Sequence, residues 1–409
     1  MTKKFNQWLL PLFFVLLFIL IRSIYFDNLF NFVYDQVSSS TEILKLWRTK
    51  SISLLGPPMS FTVEHRQVFF GGFSYLMQFV FLAIGSFDPF LSTYAFMVFS
   101  ALMIFPLYFG TKRLINQTAA IIMATLYTLL PYFIESTSSM WNPYFMFSLF
   151  PLIVYLMGLF KTKKSPWLFL FLSILGGICF QLHYLFIFAW VGIGVYYFFV
   201  EKLSRKFLAI FILGFAIGIA NLMLFEVRNN FYLLQTLWIY VTHPRNVSQH
   251  WIAPYYILSE VFFAILAGLS IFRKRLNNTM VVALFIVLLL MSIPYITTDA
   301  RERSYPKDWY YEDDIEVYKI IKDNLPTYQD VNIFEFYDAT GNVPKYFLKL
   351  DNVLLDYDDY YGNKYLYVSY KDDQFMKNAA YEVASFNPSR IVKTWKINDV
   401  YNLFLLERL

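Results

Sequence analysis

Four stretches of this chain carry side chains able to do chemistry, and each stands at the edge of an apolar run. The first, NFVYDQVSSS at 31–40, puts Asp35 and Gln36 directly after such a run; LLGPP at 54–58 follows, then Glu64, His65 and Arg66. A carboxylate partly shielded from water has a raised pKa and can act as a base. The second, ESTSSMWNPYF at 135–145, sets Asn142 between Trp141, a natural interface anchor, and Pro143, an ordinary first-turn residue. Asn142 equally suits a helix cap. The third, GGICFQLHYLF at 176–186, places Gln181 and His183 where two apolar runs meet with almost no loop. Polar groups at such depth face a cavity or a partner, or are satisfied by backbone carbonyls. The fourth, LMLFEVRNNF at 222–231, ends a run on Glu226 and Arg228. Arginine suits bidentate phosphate recognition, and a Glu–Arg pair at a helix end equally suits a structural ion pair. His243, Arg245 and His250 follow in a loop that either closes over a substrate or stands solvated.

The elements that position these residues are set by composition. The chain has 409 residues, 58% hydrophobic, 21% aromatic and 15% charged, far from the roughly 45–50% apolar and about 25% charged of soluble chains. A membrane-spanning helix needs about 20 apolar residues. Runs occur near 8–26, 69–87, 91–110, 118–134, 144–160, 167–182, 184–200, 207–225, 253–272 and 279–297. The reading is a polytopic α-helical membrane protein. Cys179 is the single cysteine, which excludes an internal disulfide and a multi-cysteine metal site. Lys3 and Lys4 precede the first run with no small-residue cleavage site after it, as in an uncleaved first helix.

Orientation follows from the basic residues. Five clusters hold 13 of them, with Glu201 the only acid among them: Lys3/Lys4, Lys112/Arg113, Lys161/Lys163/Lys164, Lys202/Arg205/Lys206 and Arg273/Lys274/Arg275. All five face the cytoplasm by the positive-inside rule only if the run 69–87 does not cross. That run holds Gly71, Gly72, Ser74, Gln78, Gly85 and Ser86, and reads as an outer juxtamembrane helix. About nine spans remain, in a cytoplasmic-membrane protein with its N-terminus inside and its C-terminus outside. The net charge of +5 is thereby explained by membrane orientation, and nucleic acid is not expected as a partner.

Nearly all the polar chemistry then lies on the outer face: loop 27–90, loop 135–143, the tip near His183, loop 226–252 and everything after 298. The expected domains are a membrane module at 1–298 and a small extracytoplasmic α/β domain at 299–409. In the latter, YYEDDIEVYKIIKDNLP and NVPKYFLKL read as helices, and VNIFEF, KYLYVSY, RIVKTWKI and YNLFLLE as strands. LDYDDYYG is acidic but lacks the spacing of an EF-hand loop. No Walker motif or dinucleotide fingerprint is present.

The order YDQ, LLGPP, FFGGFSYLMQ, KRLIN, WNP, QLHY, LFEVRNNF resembles the bacterial branch of the GT-C membrane glycosyltransferases, relatives of the protein O-mannosyltransferases and of the lipid A aminoarabinose transferases. The resemblance covers roughly residues 8–232. It implies a GT-C-like fold, a polyprenyl-phosphate sugar donor, and inverting transfer on the outer leaflet to a lipid, glycan or protein acceptor. On it, Asp35 matches the first-loop aspartate and is the candidate base. Arg228, Arg66 and Arg245 are candidates for holding the leaving phosphate. Gln36, Glu64, His65, Asn142, Gln181, His183 and Glu226 are candidates for binding donor or acceptor. Asn142 and Gln36 stand where many relatives carry acids, which weakens the case for a tightly held Mg or Mn ion. The candidate ligands of such an ion are Asp35, Glu64 and His65.

Three other classes compete. A transporter or flippase needs charge deep in the spans and polar chemistry on both faces, whereas these spans read as free of deep charge. A sensor or scaffold does not need Asp35, WNP and QLHY together. An outer-leaflet glycan polymerase or ligase relies on a large later loop, whereas here the first loop holds most of the polar content.

Overall fold

A computed structural model of the chain describes residues 2–63, 65–242, 257–297, 307–336, 342–353, 362–377 and 381–409. The chain divides into two compact units: residues 1–29 with 51–298, and residues 30–50 with 299–409. The C-terminal unit therefore takes in the stretch 30–50, which the sequence reading assigned to the membrane module.

The first unit is helical, and four of its described helices are long and apolar enough to cross a membrane. These are α1 (Thr2–Ile24, over Gln7–Ile24), α5 (Pro89–Leu102) with α6 (Ile104–Leu114), α9 (Asn142–Lys163) and α16 (Asn278–Thr297). A fifth is the pair α12 (Arg205–Gly218) and α13 (Ala220–Arg228), if its 68° bend lies within one span. Shorter apolar helices complete the unit: α4 (Phe73–Ile84), α7 (Gln117–Leu129), α10 (Pro166–Leu182), α11 (Phe186–Val195) and α15 (Leu258–Ile271). The centre is α9, whose apolar stretch is 78% buried, against 28% for α1 and 17% for α16.

Small residues set the closest approaches. A Cβ placed on Gly177 of α10 would lie 2.8 Å from Gly218 Cα at the end of α12, so these two helices meet backbone to backbone.

The run 69–87 is not one helix. Its first residues belong to a hairpin, β1 (Leu55–Val63) and β2 (Arg66–Gly71), and the helix itself is only α4, 12 residues long. At about 1.5 Å per residue it extends about 18 Å, too short for a hydrocarbon core of about 30 Å. The hairpin was obscured in sequence by Pro57 and Pro58, which cannot donate to a ladder, and the register shifts on either side of Pro58. Val63 and Val68 pack with Leu222 and Leu233, fixing the hairpin on α13 and on α14 (Tyr232–Thr242).

In the C-terminal unit, four strands pair in the order β3-β4-β6-β5: β3 (Val331–Glu335), β4 (Tyr365–Tyr370), β5 (Ser389–Lys396) and β6 (Asn402–Arg408). The pair β3/β4 is parallel and the others antiparallel. Helices Tyr311–Asn324 and Asn342–Leu350 lie against a core of Val331, Ile333, Tyr367, Leu403 and Leu405. The strands and helices occupy the segments read from the sequence: the strands from β-branched and aromatic enrichment with partial alternation, and the first helix from its acidic first turn.

Candidate active site

A broken helix in a membrane leaves backbone carbonyls without partners, and no water is there to serve them. The polar residues singled out in the membrane unit meet that need. The Asn142 amide, at the first position of α9, donates to the Leu182 carbonyl at the end of α10, 2.8 Å away. Gln181 Nε2 donates to the Gly218 carbonyl at the α12–α13 break. Asn221 Nδ2 reaches the Leu54 carbonyl before β1 at 2.9 Å. The Tyr184 hydroxyl reaches the Phe69 carbonyl in β2 at 2.5 Å.

Gln181 lies directly against the end of β2, where a Cβ on Gly71 would fall 2.2 Å from Gln181 Oε1. Only glycine fits there. His183 stands in the turn between α10 and α11, buried, with its ring 5.5 Å from that of Phe70. Burial pushes its imidazole down to about 4, so at neutral pH it is an uncharged hydrogen-bonding group rather than a cation. Asn142, Gln181 and His183 are thus brought together around Leu182 and the end of the hairpin.

A second group forms at the hairpin tip. His65 is exposed there with φ 65°, in the left-handed region. Arg66 donates to Gln235 Oε1 at 3.2 Å and stands 5.7 Å from the Tyr232 ring. Glu226 is buried and accepts from Leu233 N at 2.9 Å and Leu234 N at 3.0 Å. It caps the start of α14 and is not the partner of Arg228. Arg228 is exposed in the last turn of α13 and makes no hydrogen bond or ion pair among the described residues. Glu64, His243, Arg245, His250 and the acidic stretch at 354–361 lie outside the described residues.

Asp35 and Gln36 belong to the other unit. They open α3 (Tyr34–Thr49), where Gln36 Oε1 turns back to accept from Val33 N at 3.3 Å. The far end of α3 is fastened by Arg48, which donates to the Lys349 and Leu350 carbonyls at 2.7 and 2.9 Å. Phe32 packs on Tyr346, ring centroids 5.5 Å apart. The segment carrying Asp35 is therefore held by the C-terminal unit. Asp35 keeps part of its surface open to solvent, and the protein packed around the rest of it raises its carboxyl above the usual carboxylate range. That shift wins over the helix N-terminus, which alone would favour the ionised form. Among the described residues, no three His, Cys, Asp or Glu side chains come together to hold a metal ion.

Two charged residues inside apolar runs were missed, and the spans are not free of deep charge. Arg22 in α1 is fully buried. It donates to the Thr128 and Phe133 carbonyls at 3.1 and 3.2 Å and to Thr137 Oγ1 at 2.8 Å, with its guanidinium 3.4 Å from the Phe18 ring centroid. Those carbonyls flank the break between α7 and α8 (Pro131–Ser136). Glu260 stands in the first turn of α15. A charge within an apolar run is itself the signal that could have found both.

No protein-family model matches the sequence, and no curated protein matches it. Solved structures do match the fold, over nearly its whole length. ArnT from Cupriavidus metallidurans in the apo state aligns with a TM-score of 0.53 at 10% identity, covering 97% of this chain and 98% of that one. The same protein bound to undecaprenyl phosphate aligns at 0.52, with 10% identity and the same coverage. At the level of the fold, the likeness to the GT-C lipid A aminoarabinose transferases read from the ordered motifs is borne out: this chain is a membrane protein that shares the ArnT fold.

Proposed function

We propose that this protein is a membrane glycosyltransferase that moves a sugar from a polyprenyl-phosphate donor to an acceptor on the outer face of the cytoplasmic membrane. The observation that carries this reading is the ArnT fold over 97% of the chain, one of the matching structures holding undecaprenyl phosphate. The basic clusters support an inside N-terminus and an outside C-terminal unit.

In the proposed reaction, Asp35 takes the proton of an acceptor hydroxyl, and the oxygen attacks the anomeric carbon from the face opposite the phosphate. The bond from that carbon to the phosphate oxygen breaks, and its electron pair leaves on polyprenyl phosphate. The sugar inverts, and the proton passes from Asp35 to solvent. A carboxylate whose pKa is raised is a stronger base for this step. Arg66 and Arg228 are the proposed holders of the leaving phosphate within the membrane unit.

The roles proposed for Asn142, Gln181 and Glu226 change with the geometry. Each already serves backbone atoms, which supports a positioning role rather than direct contact with the sugar. The test is transfer by purified full-length protein from a panel of undecaprenyl-phosphate sugars. Turnover that is lost in Asp35→Asn supports the base, and near-normal turnover in that variant removes Asp35 from the chemistry.

A further inference from the structure

Glu260 stands where the fold alone gives little reason for a carboxylate. It opens α15 within an apolar stretch, and the fully buried Ser259 beside it holds its hydroxyl 3.2 Å from Glu260 Oε2 and 3.7 Å from Met146 Sδ. With one proton to give, that hydroxyl serves the carboxylate, the stronger acceptor. Glu260 Oε1 is buried and has no hydrogen-bond partner among the described residues.

The level of Glu260 along the bundle is set by Met146, which Ser259 touches, and by Cys179. Met146 follows Asn142 by four residues, one turn along α9. Cys179, which is close enough to interact electrostatically with Glu260, precedes His183 by four residues, one turn along α10. Glu260 therefore lies one helical turn inward from the Asn142–Leu182–His183 group, on a third helix. A carboxylate in a first turn gains modestly from the helix dipole, but that gain does not require burying an oxygen with nothing to bond. An apolar residue there would avoid that penalty.

We infer that Glu260 is a sugar-recognition residue: its unpaired oxygen accepts a hydrogen bond from a hydroxyl of the sugar carried by the polyprenyl-phosphate donor. This rests on the glycosyltransferase reading above and deepens it, since it assigns to the membrane unit a contact with the sugar itself. The carboxylate would discriminate sugar-bearing donor from bare lipid phosphate, and Ser259 would hold its other oxygen in place.

The experiment measures binding to purified full-length protein of undecaprenyl phosphate alone and of undecaprenyl phosphate carrying glucose, mannose, galactose or an amino sugar. The proteins are wild type, Glu260→Gln and Glu260→Leu, each checked by its melting temperature. Wild type should prefer one sugar-bearing lipid to bare undecaprenyl phosphate. Glu260→Leu should lose about tenfold or more of that preference, the worth of one charge-assisted hydrogen bond, with bare-lipid binding unchanged. Glu260→Gln, nearly isosteric and still an acceptor, should fall between and serves as the test if the leucine variant does not fold. An unchanged preference in Glu260→Gln and Glu260→Leu overturns the inference while leaving the glycosyltransferase reading standing. Wild-type protein that binds none of these lipids overturns that reading, and the inference with it.

Discussion

Arg22 and Arg48 perform the same task in the two units under opposite conditions. Each arginine closes off main-chain carbonyls at the end or break of a helix: Arg22 at the α7–α8 break of the membrane unit, Arg48 at the end of helix Asn342–Leu350 in the C-terminal unit. Arg22 is fully buried and Arg48 is exposed. Where water is absent, a side chain is the only donor such a carbonyl can have; where water is present, it is one donor among many. The contrast extends to the other polar residues. In the membrane unit Asn142, Gln181 and Asn221 serve broken backbone. In the C-terminal unit the sheet satisfies itself and many surface charges form partly exposed pairs such as Arg390–Glu407 at 2.7 Å, worth little each, although Asp314, Glu335 and Lys345 are buried. A polar residue in the first unit is therefore a structural candidate by default. A perturbed acid in the second, Asp35, is a chemical one.

The largest expected effect is on chemistry, and it falls in the C-terminal unit. Asp35→Asn should lower transfer by about 10²–10⁴-fold, the usual worth of a general base, with little change in melting temperature. The pH dependence has a definite sign. The folded protein raises the Asp35 pKa, so the fold favours the protonated carboxyl and its ionisation subtracts from stability as pH rises through that pKa. Activity runs the other way: the working base is ionised, and turnover should fall as pH drops through an inflection above the ordinary carboxylate range. That acid limb should disappear from the residual rate of Asp35→Asn. A limb that persists in the variant assigns the titration to another group.

Next comes Arg22→Met, which takes the side-chain donor from the buried Thr128 carbonyl and one of three side-chain donors from the Phe133 carbonyl, where Thr137 Oγ1 and Ser136 Oγ remain. It should destabilise by about 3 kcal/mol or more, read as a large drop in melting temperature of the detergent-solubilised protein. Gln181→Leu removes the cap on Gly218 and should cost about 1–3 kcal/mol. Both should affect stability before activity, and normal melting with lost activity would break the comparison by making Gln181 a substrate contact. Arg48→Ala removes two hydrogen bonds from exposed carbonyls. It should cost under about 1 kcal/mol, because water replaces the guanidinium.

The architecture was legible in proportion to how local its cause is. The segments VNIFEF, KYLYVSY, RIVKTWKI and YNLFLLE are rich in β-branched and aromatic residues with partial alternation, and the structure places β3, β4, β5 and β6 there. The hairpin at 55–71 was not legible, because Pro57 and Pro58 disguise a strand whose partner lies across a turn. The grouping of 30–50 with the C-terminal unit was not legible either. It depends on Phe32 meeting Tyr346 and Arg48 meeting Lys349, more than 300 residues apart. At the candidate site, the sequence marked Asn142, Gln181 and His183 as buried polar groups with a purpose. It did not show that the purpose of Asn142 and Gln181 is a backbone carbonyl in each case, since that requires knowing where each helix breaks. Arg22 and Glu260 were visible as charges within apolar runs and were passed over because the runs were read by their averages.

The most direct test of the central claim is a transfer reaction with purified full-length protein, a labelled undecaprenyl-phosphate sugar panel and a crude outer-envelope acceptor fraction. Consumption of one lipid-linked sugar, release of undecaprenyl phosphate, and a product of inverted anomeric configuration are the predicted result. A protein that binds none of these lipids and releases no undecaprenyl phosphate from any of them would contradict it.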